Sequence, residues 1–312
     1  MAIPLSGRLL GRRDGLILSF LLICTGVSRS ATGDPPEITY RSNVTEVRMT
    51  FSAIDQNNHG VATLQATDFA VVDKDVIVRS FQSFTRTDWT KLDIAIIVDT
   101  SESVTPHFRQ EMAETLKLVS QTAGVPEQNL SIISFKGSLP FVVCRADCRL
   151  SHATERLPDA GAGGLTPLFD AVVFASDSLA QHAAEKSQKI LILFSDGEDT
   201  VSRNSLGDAA NYALARDVQI YSIDVGNAAY HSQGAAALYN LAGATGGQYF
   251  PARDGAARAL NVILEGFRAT YTVTYRLPTH ASGFHPVRIL PTHNLNLQFH
   301  SRSGYFYPDH SR

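Results

Sequence analysis

Residues Ile94–Ser103 read IAIIVDTSES: five apolar residues run straight into Asp99, and hydroxyls follow at Ser101 and Ser103. An unbroken apolar run is what a strand buried on both faces requires, because neither of its sides meets water. Three further runs share the texture: LSIISF from Leu130, KILILFSD from Lys189 and VQIYSIDVG from Val218. Segments with helical spacing alternate with them. HFRQEMAETLKLVSQTA places Phe108, Met112, Leu116 and Val119 on one face, and TPLFDAVVFASDSLAQHA, NSLGDAANYALARD, GAAALYNLAGAT and DGAARALNVILEGF follow. The alternation predicts an α/β fold, doubly wound, with a mainly parallel sheet covered on both faces. Ligands of such sheets sit beyond the carboxyl ends of the strands, which is where Asp99 falls.

Outward from this unit, residues 91–269, the texture is that of strands alone. Residues 35–90 carry EVRMTFSAI, a turn at Gln56–Gly60 and FAVVDKDVIVRSFQSF, a pattern that predicts β-hairpins. Residues 270–312 carry YTVTYRLP, HPVRILP, NLNLQFH and SGYFYP. The two flanks are expected to pack together as a small all-β module.

The first thirty residues differ again. Arg8, Arg12 and Arg13 precede the apolar run GLILSFLLICTGV, and the small residues Ser28, Ser30 and Ala31 follow it, which reads as a secretory signal peptide over residues 1–30. The run is shorter than the ~20 residues a bilayer span needs, so no transmembrane segment is expected in the mature chain. The protein is therefore expected in the periplasm, at the cell surface or outside the cell. Two cysteines remain after the leader, Cys144 and Cys148, and in an exported chain so close a pair suggests a local disulfide. The alternative, a zinc site with His152, lacks the paired cysteine knuckles of structural zinc. A formal charge of −3 over 312 residues, with no basic stripe, points away from nucleic acid.

Three loops at strand ends or helix starts carry oxygen donors. The first offers Asp99, Ser101 and Ser103. The second, GAGGLTPLFDA, offers Thr166 just before a proline in the first turn of a helix. The third, LILFSDGEDT, offers Asp196 ahead of a tight turn at Gly197. Two carboxylates and three hydroxyls, with no Cys or His, make a hard-oxygen set of the kind Mg²⁺ prefers, and Mn²⁺ could use the same atoms. Alternation along Asp-x-Ser-x-Ser aims these side chains at one spot and turns Thr100 and Glu102 away. If the ion keeps water, five protein oxygens cannot all touch it, and Asp196 is expected to act through water.

These residues, in order, loop type and approximate spacing, resemble the metal-ion-dependent adhesion site of von Willebrand factor type A domains. The resemblance covers about Lys91 to Phe267, and the flanks are similar to those of a bacterial subgroup, the acidobacterial-type VWFA-related domain proteins. It implies a binding mode: one coordination position stays open, and an acidic side chain of a partner protein completes the octahedron. Ser101, Ser103 and Thr166 would be hydroxyl ligands, while Asp99 and Asp196 would set the charge and anchor metal-bound waters.

Competing readings concern single residues or other classes of function. Any one of Asp99, Ser101 or Ser103 could be a helix cap, Thr166 could cap the helix after it, and Asp170, Glu102 and Asp199 read as capping or solvated acids. Gly161, Gly163 and Gly164 lack the Lys-Ser/Thr of a phosphate loop. FSDGE is no nucleophile elbow, and His107 and His152 have no recognisable acid partner, so no enzyme is expected. The alternatives are a cell-envelope scaffold whose metal only stabilises loops and, more remotely, a metal-assisted hydrolase.

Overall fold

The computed structural model describes residues 46–57, 59–87, 92–101, 129–137, 139–145, 148, 165–184, 187–226, 233–267 and 269–308. The leader, the helix expected from His107, Glu102, Ser103, His152 and the glycines at 161–164 lie outside them.

The central sheet has six strands: β5 (Leu92–Asp99), β6 (Leu130–Lys136), β7 (Leu139–Arg145), β8 (Gln188–Ser195), β9 (Val218–Asp224) and β10 (Tyr249–Phe250), in the order β10-β9-β8-β5-β6-β7. All pairs are parallel except β6 with β7. Among the described residues the α-helices are α1 (Leu168–His182), α2 (Leu206–Ala215), α3 (Gln233–Thr245) and α4 (Ala256–Phe267).

All eight residues of β5 are buried, and their two-residue period divides them between two cores. Ile94, Ile96 and Val98 pack with Leu260, Ile263 and Phe267 of α4 on one face. Ala95 and Ile97 pack with Val172 and Ala175 of α1, Ala213 of α2 and Leu241 of α3 on the other. The sheet is thus doubly wound, and the carboxyl ends of β5, β8 and β9 lie side by side.

β7 was not foreseen. Its sequence, LPFVVCR, runs apolar from Leu139 to Cys144 but drew notice only for Cys144; it forms the half-exposed, antiparallel edge of the sheet. Cys144 near its end is disulfide-bonded to Cys148, with Cα atoms 5.4 Å apart.

The remaining strands form two four-stranded sheets. One has the order β13-β1-β11-β4, with β1 (Glu46–Ile54), β4 (Ser83–Arg86), β11 (Thr270–Arg276) and β13 (Gln298–Ser301). The other has the order β14-β12-β2-β3, with β2 (Phe69–Asp73), β3 (Val76–Val78), β12 (Gly283–Pro291) and β14 (Gly304–Tyr307). Their facing residues share one core, built on Met49, Phe51, Phe69, Val71, Val273, Tyr275 and Ile289.

Phe69 lies 5.0 Å centroid to centroid from Phe51 and 5.2 Å from Phe84. Such tilted contacts suit the ring quadrupoles.

The turn after β1 forms, with Asp55 Oδ1 accepting from the backbone of Asn57 and His59. It does not close a hairpin between β1 and β2, however, because both edges of β1 are taken by β11 and β13 and β2 belongs to the other sheet. The hairpin is instead β2 to β3, turned by Lys74 and Asp75, both with positive φ.

Candidate functional site

Asp99 is the last residue of β5, and its side chain is completely buried. Its Oδ1 accepts from the Ser101 backbone N–H at 2.9 Å, which curls the chain just past the strand. Its Oδ2 accepts from Ser195 Oγ at 2.7 Å, across from the end of β8. Ser195 Oγ in turn accepts from Gly197 N–H at 3.0 Å, so one hydroxyl links the first acidic loop to the turn beyond Asp196. Thr100 faces elsewhere, its hydroxyl 3.0 Å from Ser134 Oγ on β6.

Asp196 follows β8 directly and is nearly buried. Its Oδ1 accepts from Glu198 N–H at 3.0 Å. The turn is crowded from the side of α3: at Gly197, with φ +81°, a side chain would run into the carbonyl of Gly234. Glycine is required there for both conformation and space.

Thr166 is as buried as Ser101, both 2% exposed. Its backbone N–H donates to Thr200 Oγ1 at 2.7 Å, and its carbonyl accepts from Thr200 N–H at 2.9 Å, which bolts the second loop to the third. The capping reading of Thr166 does not hold, since α1 receives no side-chain cap at its own N-terminus. The work is done from the third loop instead: Asp199 Oδ1 accepts from Phe169 N–H at 3.3 Å, and Ser202 Oγ accepts from Asp170 N–H at 3.1 Å. Asp170 replies by accepting from the backbone of Arg203 and Asn204. Asp199 and Asp170 are therefore capping and loop-tying acids.

The structure thus brings Asp99, Ser101, Thr166 and Asp196 to one end of the sheet, while Ser103 lies outside the described residues. Sequence reasoning missed two neighbours. Ser195 is one. The other is Asp224, which ends β9 as Asp99 ends β5 and accepts from Gly226 N–H and Tyr249 Oη, each at 2.9 Å. The cue was available, because YSID repeats the pattern of an apolar strand closing on an acid.

Burial pushes the Asp99 carboxyl up to about 6, opposed by its hydrogen bonds from Ser101 and Ser195 and reinforced by repulsion from Asp196. Burial also raises Asp224, with Asp196 again adding repulsion. Among the described residues no Lys, Arg or His forms an ion pair with Asp99, Asp196 or Asp224.

A divalent cation fits this donor set: buried carboxylates that repel one another, beside hydroxyls, are stabilised by the charge they lack. Among the described residues no three of His, Cys, Asp and Glu converge to hold a metal, so a cation here would rest on hydroxyls as much as carboxylates. Zinc at the cysteine pair is set aside, since both thiols are consumed in the disulfide.

A comparison with curated proteins gives no match. Among solved structures, an aerotolerance-related membrane protein from Bacteroides fragilis is 17% identical, with a TM-score of 0.45 over 56% of this chain and 98% of that one. Manganese-loaded TRAP protein of Plasmodium vivax is 19% identical, with a TM-score of 0.44 over 72% of this chain and 98% of that one. Proximal thread matrix protein 1 of the mussel byssus, with a zinc-occupied MIDAS motif, is 17% identical, with a TM-score of 0.45 over 56% of this chain and 47% of that one. Residues 93–262, more than half of the chain, match the von Willebrand factor type A domain, and the chain belongs to that family.

Proposed function

We propose that the chain is an exported protein-binding module that holds Mg²⁺ at the ends of β5 and β8 and captures a partner through the partner's own carboxylate. The observation that carries this reading is the Asp99 carboxylate, fully buried beside Asp196 with no described cation to balance either. Ser101, Ser103 and Thr166 would offer hydroxyl oxygens to the ion. Asp99, held rigid by Ser195 and Ser101, and Asp196 would supply charge and orient metal-bound water. The bound ion supplies a site for an anionic oxygen that these residues, all acceptors or hydroxyls, cannot provide alone. Membership of the von Willebrand type A family supports the reading, and the Cys144–Cys148 disulfide supports an oxidising compartment. No helix among the described residues is long and apolar enough to cross a membrane.

The test is retention of the metal-stripped protein on immobilised glutamate-bearing peptides with and without Mg²⁺. Retention that appears with Mg²⁺ and vanishes with chelator is the expected result. Equal retention in both conditions would sink the adhesion reading.

A pH dependence follows from Asp99. Its folded-state pKa is raised above the unfolded value, so the metal-free protein carries this contribution to stability in full below about pH 4 and loses it as pH rises through about 6. Mg²⁺ requires the ionised form and acts in the opposite sense. The rise in melting temperature on adding Mg²⁺ should therefore be larger at about pH 7.5 than at about pH 5. Thermal melts at the two values check this, and a rise independent of pH would remove Asp99 from the site.

A further inference from the structure

At the pole of the central sheet opposite Asp99, the amino ends of β8 and β9 face the sheet containing β1 and β11 across a cavity of about 160 Å³. Room for more than one water is present. The cavity is cationic: Arg48 of β1, Lys189 of β8 and Arg302, just after β13, line it against a single acid, Asp217. Asp217 is already engaged, accepting from Arg302 Nη1 at 2.8 Å. Among the described residues neither Arg48 nor Lys189 has an ion-pair partner, which leaves two positive charges unbalanced.

Two buried side-chain atoms at the same place have no hydrogen-bond partner among the described residues, Ser187 Oγ and Gln188 Oε1. Unmet buried polar atoms are uncommon and costly. The identity of the second is fixed by a relay. The Gly246 carbonyl can only accept, so Gln219 must turn its Nε2 toward it. Gln219 Oε1 then accepts from Gln188 Nε2 at 2.9 Å, and Gln188 is left presenting an oxygen. The wall therefore asks a ligand for negative charge at Arg48 and Lys189 and for a hydroxyl donor at Gln188. The hydroxyls of Thr50 and Thr87, each bonded to that of Thr272, add adaptable donors and acceptors.

We infer that this cavity is a binding site for a small oxyanion that carries its own O–H, of which hydrogen phosphate is the smallest. Sulfate matches it in size and charge but is fully deprotonated at neutral pH, so it would set an anionic oxygen against Gln188 Oε1. A site with a buried acceptor rejects the analogue that lacks the donor. Larger members of the class are sugar acids, whose ring hydroxyls offer the same donor beside a carboxylate.

The experiment is calorimetric titration of inorganic phosphate, sulfate and glucuronate into the full chain at neutral pH without divalent metal. Saturable phosphate binding at least about tenfold tighter than sulfate is expected, and Lys189→Ala should weaken it by about tenfold. Gln188→Leu should bring phosphate down to the level of sulfate. Arg48→Ala, a change at an exposed side chain, covers the case in which the buried-wall variants do not fold. Asp99→Ala should leave phosphate binding intact, which separates this site from the metal site. Displacement of phosphate by glucuronate would assign the sugar-acid source, and phosphate binding without it would assign the inorganic ion. Absence of saturable heat with any of the three, or equal affinity for phosphate and sulfate, would overturn the inference.

Discussion

Asp99→Ala is expected to remove measurable Mg²⁺ binding, a loss of at least about 100-fold by calorimetry, since even outer-shell partners of a metal commonly cost 10–100-fold. The size follows from the position. Asp99 is the most deeply buried of the strand-end acids, fixed from both sides by the Ser101 backbone and the Ser195 hydroxyl. Glu102→Ala, one residue out of phase with Ser101 and Ser103, should leave affinity near that of the parent.

Asp99→Asn sharpens the test, because it separates charge from shape. In the metal-free protein the ionised carboxylate is disfavoured by burial, so the amide should be as stable as the parent at neutral pH or more so. Metal binding should nevertheless be lost. A residue that only braced loops would show the reverse, with amide and carboxylate alike in binding and the amide weaker in stability. Parent-like Mg²⁺ affinity in Asp99→Ala would remove the site altogether.

How far the sequence disclosed this arrangement depended on the kind of signal. The strands β5, β8 and β9 were legible because a parallel sheet covered on both faces forces continuous apolar runs, and the acids closing them stood out against that background. β7 and β10 were not: LPFVVC is an apolar run read only for its cysteine, and the two residues of β10 leave no periodicity. Strand texture in the flanks was visible, yet pairing was not: β1 joins β11, more than two hundred residues away, and nothing local in EVRMTFSAI names that partner. At the candidate site, Asp99, Ser101 and Asp196 could be named because oxygen donors stand out where an apolar strand ends, and Thr166 because it stands just ahead of a helix's first turn. Ser195 escaped because a serine inside FSDG reads as part of a strand, and its role as a bridge between Asp99 and Gly197 exists only once β5 and β8 are neighbours.

The largest effect on stability is expected away from the strand-end acids, from Asp73→Ala between the two small sheets. Asp73, fully buried at the end of β2, accepts at Oδ2 from Tyr275 Oη at 2.8 Å and from Tyr305 Oη at 2.7 Å. Its Oδ1 has no hydrogen bond but lies 3.4 Å from Nδ1 of His285, which is also fully buried. The Tyr305 oxygen also lies 3.2 Å from His285 Nδ1. The same ring donates from Nε2 to the Ala281 carbonyl at 2.6 Å.

Four strands meet in this cluster, β11 from one sheet and β2, β12 and β14 from the other. Burial and the Asp73 charge both push the Tyr275 and Tyr305 hydroxyls upward, which keeps them as donors at every working pH. Removing Asp73 would leave two buried tyrosine hydroxyls without their acceptor and a buried imidazole without its neighbouring acid. A buried donor left unsatisfied costs about 1–3 kcal/mol, so losing the acceptor of two at once should exceed most single substitutions. Asp73→Asn keeps an acceptor for the tyrosines but not the charge, and should lose less.

Urea unfolding followed by circular dichroism measures both variants, with Mg²⁺ calorimetry under native conditions expected to stay unchanged because the cluster touches none of the strand-end acids. A loss below about 1 kcal/mol for Asp73→Ala would mean that the cluster is not the clamp between the sheets, since an average point substitution costs that much.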